Sequence, residues 1–339
     1  MEKNKISHVA IYPPIGIARI GNSPEYFLAS EVPGVAPKPA GGYKDLDGRV
    51  KKQAVQFRIY AFDDAGNVLG EITDKEGKIE WNIDVANVKA AWYQFNNALD
   101  LPGSSIPSAP RNPKVVGDDR EHLAITPTPV SISGKSTSGK EYYFDDGKFY
   151  DKPVNLGHVK TDGEGRLIFV PADGDSESKN NKPAITFANN NGWHDDTCDG
   201  VIRATVKIGN ISYDATPAMV AVTPPNFAPG LFGVVTMNDV VQNLFVNEME
   251  YPNPSENGVV FWEHIFPILE RMTGTQWVNQ GFFMLFGKNS PSDFTNPELI
   301  KILEDPSNLT IKARERVFNW FRDPESREYT PAKVPPFYG

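Results

Sequence analysis

The sequence predicts an α+β protein in which a β-rich N-terminal body of short strands and hairpins is followed by a mainly helical segment. Glycine (28) and proline (29) together make up about a sixth of the 339 residues, which indicates many turns. Apolar and polar residues alternate along several short segments of the first two-thirds. The apolar period then changes after a proline-rich break at residues 224–230. We therefore expect a β-rich domain at residues 1–225 and a helical segment at residues 226–339.

The strand patterns are short and separated by turn residues. They occur at residues 6–12, 55–62, 81–87, 165–171, 201–208 and 218–222. Two of them lead into hairpin turns, one at residues 63–67 and one at Gly209-Asn210. A short helix is predicted through Trp92. The polar residues 173–182 predict an exposed, mobile loop. No internal repeat is visible.

The second segment has helical periodicity. The predicted helices cover residues 237–245, 261–272, 297–303 and 311–321. Thr236 or Asn238 is expected to cap the first helix. Asn296 is expected to cap the third, with proline in the first helical position. The aromatic run at residues 281–287 is expected to lie in the core, with Trp277 either packed beside it or lining a pocket.

Composition and charge exclude several classes of function. The formal net charge is −9, which argues against a nucleic-acid partner because phosphate binding needs clustered lysine and arginine. A single cysteine excludes an internal disulfide framework. No signal peptide is visible, and no stretch approaches the roughly 20 apolar residues that span a bilayer. We expect a soluble cytoplasmic protein with neither a membrane nor a nucleic-acid partner.

The most informative segment is residues 192–200, which we call the acidic segment. Its sequence is Gly192-Trp193-His194-Asp195-Asp196-Thr197-Cys198-Asp199-Gly200. Three carboxylates so close together repel unless a turn, a cation or hydrogen-bond donors separate them. One interpretation is a structural loop, in which two aspartates accept from backbone amides and the tryptophan packs inward. The other is a site in which an aspartate or His194 faces a ligand. The spacing of a calcium loop is missing, so no metal is expected.

Two single residues leave further alternatives open. Cys198 with His194 suggests a cysteine hydrolase, although a cysteine of this kind is more often a packed side chain. Arg19 either binds an anion or forms a salt bridge with an acidic turn, and the salt bridge is the expected role. The glycines at positions 16 and 21 do not have the spacing of a dinucleotide or phosphate-binding motif.

Five segments, taken in order, resemble one family. They are residues 11–23 (IYPPIGIARIGNS), residues 52–60 (KQAVQFRIY), residues 156–167 (LGHVKTDGEGRL), the acidic segment, and Pro336-Phe337-Tyr338-Gly339. Together they are similar to the LodA-like quinoprotein oxidases, the family of L-lysine 6-oxidase and glycine oxidase. The resemblance covers the chain from residue 10 to its last residue.

This resemblance implies oxidation of an amine or amino acid by O2, giving an aldehyde or oxoacid, ammonia and hydrogen peroxide. The family's cofactor is cysteine tryptophylquinone, which a separate flavoprotein helps to build. Its cysteine and tryptophan, and the catalytic aspartate, lie in a C-terminal domain beyond the segment that matches Tyr338-Gly339. The quinone is therefore not expected to form from this chain, which we interpret as a fragment of such an oxidase. Homo-oligomer formation is left open.

The resemblance also selects candidate site residues. Trp193, Asp195, Asp196, Asp199 and Gly200 match the family pattern, whereas Cys198 stands where a serine is expected and His194 where an aromatic is more usual. His194, Asp195 and Asp196 are the candidates for a wall of the catalytic pocket. Trp193, Asp199 and Arg19 are the candidates for the substrate pocket. The alternative function is a non-catalytic binding or scaffold module of the same fold.

Overall fold

The computed structural model describes residues 6–32, 35–95, 109–186, 188–231, 233, 235–253, 256, 258–323, 326, 328 and 332–334. The contacts within the chain fall into two compact units. The first contains Met1–Glu31 and Ala36–Phe227, and the second contains Val32–Val35 and Ala228–Gly339. The domain division predicted between residues 225 and 226 stays a prediction, as does a further catalytic domain. The closing segment at residues 336–339 lies outside the described residues.

The first unit is built from β-strands. They are β1 (His8–Tyr12), β2 (Ile15–Arg19), β3 (Tyr26–Leu28), β4 (Lys52–Phe62), β5 (Val68–Ile72), β6 (Lys78–Ala86), β7 (Val130–Ser133), β8 (Lys148–Phe149), β9 (Lys152–Pro153), β10 (His158–Thr161), β11 (Leu167–Val170), β12 (Ser176–Ser178), β13 (Trp193–Asp195), β14 (Asp199–Ile208), β15 (Ile211–Asp214) and β16 (Ala218–Thr223). Short 3₁₀ turns lie at Lys89–Ala91, Gly117–Leu123 and Lys140–Tyr142. The first turn replaces the short helix predicted near Trp92.

Twelve of the described strands form one sheet in the order β10-β11-β4-β2-β16-β14-β6-β7. Strands β1, β3 and β5 also pair with β4, and β15 pairs with β14. The two predicted hairpins are confirmed as β4–β5 and β14–β15. Strand β2 pairs in parallel with β16, with Ile15 opposite Met219 and Arg19 opposite Thr223. Among the strands in this order, β2 comes first in the sequence and β16 comes last. These two strands are therefore neighbours in the sheet although they are far apart in the chain.

The core of this unit lies under the long strands. Phe57 on β4, Trp81 on β6 and Phe169 on β11 are fully buried, which stabilises the fold by roughly 1.5–3 kcal/mol per side chain. The Trp81 indole N–H donates to the Gly165 carbonyl oxygen at 3.0 Å, so its polar atom stays satisfied. Gln56 is also buried because its amide donates to the Asp162 carboxylate at 2.9 Å; a buried polar group needs such a partner.

An ionic cluster links β4 and β5 to the turn between β10 and β11. The Glu71 carboxylate lies 2.6 Å from Arg166 Nε and 3.4 Å from Arg58 Nη1. Arg58 Nε also contacts Glu31 at 2.8 Å, and Arg166 contacts Asp162 at 3.4 Å. Two segments that carry the family resemblance, residues 52–60 and 156–167, meet in this cluster. Their polar residues therefore hold strands together.

The second unit is helical. Its helices are α1 (Met237–Glu248), α2 (Phe266–Gly274), α3 (Gln280–Phe286), α4 (Pro297–Glu304) and α5 (Ile311–Phe318), with a π-helical turn at Phe261–Ile265 and a 3₁₀ turn at Thr275–Trp277. A β-rich unit followed by a helical one confirms the predicted α+β class. The N-caps are also confirmed, since Thr236 Oγ1 accepts from Asp239 N and Asn296 Oδ1 accepts from Glu298 N. None of the described helices is long and apolar enough to cross a membrane.

Three predictions about local structure were wrong. The helix predicted to reach residue 321 ends at Phe318, because the amides of Trp320 and Phe321 donate to carbonyls three residues back, as in a 3₁₀ turn. Among the large apolar side chains of the aromatic run only Phe286 is buried, while Phe283, Met284 and Leu285 are 53–70% exposed. Residues 173–182 are exposed as predicted, apart from Ser178, but they do not form a continuous loop because they contain β12, which pairs with β13.

Candidate functional site

The acidic segment contains β13 and the beginning of β14. Its first half forms β13, with Trp193 opposite Ser178 and Asp195 opposite Ser176. Its last residues begin β14, where Asp199 and Gly200 lie between β6 and β16. A Cβ atom on Gly200 would overlap the Asp84 carbonyl oxygen, so only glycine allows β14 to approach β6 at this point.

Asp195 is held by groups on the first unit. Its Oδ2 lies 2.7 Å from Lys89 Nζ, and its Oδ1 accepts from the Asn87 amide at 2.9 Å. The same oxygen accepts from the Thr197 hydroxyl at 2.7 Å. Burial alone would raise the pKa of Asp195, but the Lys89 ammonium and the Thr197 hydrogen bonds lower it below its ordinary value. Asp195 is therefore an ionised structural anchor.

Asp196 is only 2% exposed. Its Oδ2 accepts from the backbone N–H of Gly174 at 2.7 Å and of Asp175 at 2.8 Å. Its Oδ1 is buried and has no hydrogen-bond partner among the residues that the structure describes. Burial raises the pKa of Asp196 to about 6, although the two N–H groups act in the opposite direction. The Asp196 carboxylate therefore holds in place the backbone that leads into β12.

His194 and Trp193 occupy opposite sides of a short strand, as alternating residues must. The His194 ring is buried and lies 5.0 Å from the Phe149 ring, centroid to centroid. Burial lowers the pKa of His194, so the imidazole is neutral at pH 7. Trp193 is half-buried. The strand therefore presents a neutral imidazole to the body and an indole to the other side.

Cys198 does not have the surroundings of a nucleophile. It is 3% exposed, and its thiol donates to the Leu156 carbonyl oxygen at 3.6 Å. Burial raises the thiol pKa far above its ordinary value, and the neighbouring carboxylates add to the effect. A reactive thiol needs an exposed, electropositive setting. The structure thus argues against the cysteine hydrolase alternative.

Arg19 and Asp199 lie on strands of the large sheet that are not adjacent. Arg19 ends β2 and donates to the Pro224 carbonyl oxygen at 3.0 Å. Among the described residues it has no ion pair, so the predicted salt bridge with an acidic turn was wrong. Burial lowers the pKa of Arg19. Asp199 is exposed, and β16 separates it from β2. Strand spacing places the two backbones roughly 10 Å apart.

Sequence reasoning missed the residues that hold the acidic segment. Lys89 and Asn87 reach Asp195 from 106 and 108 positions away. Asn112 accepts from the Gly192 N–H at 2.6 Å and donates to the Ala90 carbonyl oxygen at 2.9 Å. No local pattern marks these partners. The sequence indicates such partners only indirectly, because several carboxylates in one short segment require hydrogen-bond donors.

The cofactor that the resemblance implies, cysteine tryptophylquinone, needs a cysteine sulfur bonded to an indole ring. The only cysteine, Cys198, is instead hydrogen-bonded to the Leu156 carbonyl oxygen, and Trp193 pairs through its backbone with Ser178. These residues do not fit the quinone. Within the described ranges, no group of three or more histidine, cysteine, aspartate or glutamate side chains is placed to hold a metal ion.

Comparison with known proteins gives one family match. The family model described as L-lysine epsilon oxidase N-terminal matches residues 12–222. L-lysine 6-oxidase from Marinomonas mediterranea is 26% identical, and the match covers 81% of this chain and 44% of that protein. The chain therefore spans about half the length of the relatives it matches.

Two solved structures are similar in fold. The Schiff base intermediate of L-Lys epsilon-oxidase from Marinomonas mediterranea with L-Lys has a TM-score of 0.65, and the match covers 95% of this chain and 52% of that one. The epsilon-lysine oxidase from the same organism has a TM-score of 0.64, covering 95% and 51%. Both are 24% identical in sequence. The described fold is thus shared with about half of a longer protein.

Proposed function

Because the chain belongs to the L-lysine epsilon oxidase N-terminal family, we propose that it forms the N-terminal portion of an amino-acid oxidase. The match over residues 12–222 supports this proposal. The reaction would convert an amine, O2 and water into an aldehyde or oxoacid, ammonia and hydrogen peroxide. L-lysine is the first substrate to test, since one relative is named L-lysine 6-oxidase. The redox chemistry would be supplied by residues outside these 339.

In this proposal the acidic segment supports one wall of the substrate pocket. Asp195 and Asp196 bind groups of the chain itself, so they position the segment. Trp193 and Asp199 are the less buried members and would face the substrate. His194 stays neutral, which adds no positive charge to repel an incoming ammonium group. Arg19 would lie at the margin of the same wall.

The decisive experiment uses the complete natural gene product beside the 339-residue chain. We expect the complete product to stain for quinone and to release peroxide with L-lysine or glycine, and the 339-residue chain to do neither. Peroxide release by the shorter chain would contradict the assignment of the redox chemistry to other residues. Coexpression with a separate flavoprotein, which we propose as the maturation partner, should increase quinone staining.

A non-catalytic binding or scaffold module of the same fold is the second candidate. One observation favours it: Asp195 and Asp196 are occupied by structural hydrogen bonds, and the Cys198 thiol is buried. The two candidates separate on the complete product. Negative quinone staining together with absence of peroxide would support the module and reject the oxidase.

A further inference from the structure

Helix α1 leaves an apolar stripe without cover. Val240, Val241, Leu244 and Phe245 repeat at the spacing of one helix face, and they are 36–52% exposed. No residue described in α1 is buried. A face of this pattern normally packs against a core. The helix is nevertheless fixed to its unit, because Asp239 lies 2.6 Å from Arg271 on α2.

A groove in the same unit is also apolar. It has a volume of about 530 Å³ and includes Phe261, Ile265, Ile268, Leu303, Val317 and Phe318 in its lining. Phe318 is 76% exposed and Ile268 is 48% exposed. The Arg314 guanidinium at its margin is already occupied by carbonyl oxygens, including Ser307 O at 3.1 Å. The groove therefore suits aliphatic or aromatic side chains, and the arginine among its described lining residues is not free to bind an anion.

The buried core of this unit is small compared with the apolar surface that the unit exposes. Among the described residues of this unit, the buried apolar cluster contains Leu269, Met272, Phe286, Phe294 and Leu303. Uncovered apolar surface of this extent marks an interaction site in a soluble protein. The α1 stripe and the groove, which we call the docking surface, thus need a partner that supplies apolar side chains.

The length of the relatives indicates what this partner is. The chain covers 44% of L-lysine 6-oxidase and about half of the solved oxidase chains. We propose that the docking surface packs against the polypeptide that corresponds to the second half of these relatives, and that an apolar segment of it enters the groove. This inference rests on the proposed function, because it identifies the partner through the oxidase family.

Amide hydrogen exchange tests the proposal on the 339-residue chain and on the complete natural product. We expect peptides from α1 and α5 to exchange at least about tenfold more slowly in the complete product, and peptides from β14 to exchange equally in both. Equal exchange in α1 and α5 would overturn the proposal, as would a natural product that ends at residue 339. Protection of these helices in a dimer of the shorter chain would identify a second copy instead and would also overturn it.

A substitution tests the groove itself. In the complete product, Phe318→Asp should restore fast exchange in α5, whereas Leu46→Asp, at a fully exposed position of the first unit, should not. If α5 still exchanges slowly in the Phe318→Asp variant, the groove is not part of the docking surface and the proposal is overturned. Peroxide release separates the two proposals. If α1 and α5 are protected from exchange in the complete product but no peroxide is released, only the oxidase proposal is rejected. If peroxide is released but these helices are not protected, only the docking surface is rejected.

Discussion

The Lys89 ammonium lies 2.7 Å from the Asp195 carboxylate, across 106 positions of sequence. This ion pair joins the turn after β6 to the strand that contains the candidate site residues. Asn87 reinforces it by donating to both the backbone and the side-chain oxygen of Asp195, each at 2.9 Å. The position of the acidic segment is therefore fixed by residues far from it in sequence.

Replacing the lysine should weaken the fold in a pH-dependent way. Lys89→Met leaves the Asp195 carboxylate without its counter-ion, and we expect a loss of about 0.5–1 kcal/mol at pH 7, since the pair is partly solvent-exposed. The pKa of Asp195 is lowered in the folded state, so the ion pair stabilises above the ordinary value of 3.8 and this contribution is lost as the pH falls through the folded pKa. Urea denaturation at pH 7 and at lower pH measures the difference in the free energy of unfolding between wild type and Lys89→Met. This difference should become smaller as the pH falls.

Lys207→Met, at an exposed position of β14, is the matched control for this experiment. It should change the free energy of unfolding little at any pH. A Lys89→Met variant as stable as this control at pH 7 would show that the ion pair does not anchor the segment.

Asp196 should give the opposite pH dependence. Its folded pKa is raised to about 6, so its proton is bound more tightly in the folded state. The contribution to stability is complete below the unfolded pKa and is lost as the pH rises through about 6. We expect wild type to lose about 2 kcal/mol relative to Asp196→Asn between pH 4 and pH 7. Parallel denaturation curves at both pH values would contradict the raised pKa.

The two glycines of the acidic segment should respond differently to alanine. Gly200→Ala places a methyl group against the Asp84 carbonyl oxygen, and we expect a loss of about 3 kcal/mol from overpacking. Gly192 has φ of +74° with open space around it, so Gly192→Ala should cost about 1 kcal/mol. Thermal unfolding of both variants shows which of them is less stable. A Gly192 variant less stable than the Gly200 variant would refute the close approach of β14 to β6.

Cys198 should be inert in the folded chain. Its thiol is buried, and burial raises its pKa, so a thiol reagent should label the native chain very slowly and the denatured chain fully. Labelling followed by mass spectrometry provides the measurement, and the denatured sample is the control. Fast labelling of the native chain would revive the cysteine hydrolase alternative.

Local patterns were sufficient to predict much of the fold. The alternation around Phe57 and Ile59 identified the central strand, and Gly209-Asn210 identified the hairpin between β14 and β15, because each depends on neighbouring residues alone. Strand β12, with the sequence Ser176-Glu177-Ser178, was missed. Its own residues are polar, and its conformation comes from pairing with β13.

The partners at the candidate site could not be predicted in the same way. The Asp195 carboxylate indicated only that donors were needed, and Lys89 is one of many lysines in the chain. The identity of a distant partner depends on strand order, which period and composition do not specify. The exposed Phe283, Met284 and Leu285 show the same limit, since apolar residues predict burial without saying what covers them.

The parallel pairing of β2 with β16 has a consequence for synthesis. Arg19 hydrogen-bonds Pro224 across 205 positions, so the seam between these strands closes only after residue 224 has emerged from the ribosome. Until then the early strands lack their final neighbour and leave an open edge. We therefore expect a truncation upstream of β16 to leave this edge open permanently and to yield an aggregation-prone product.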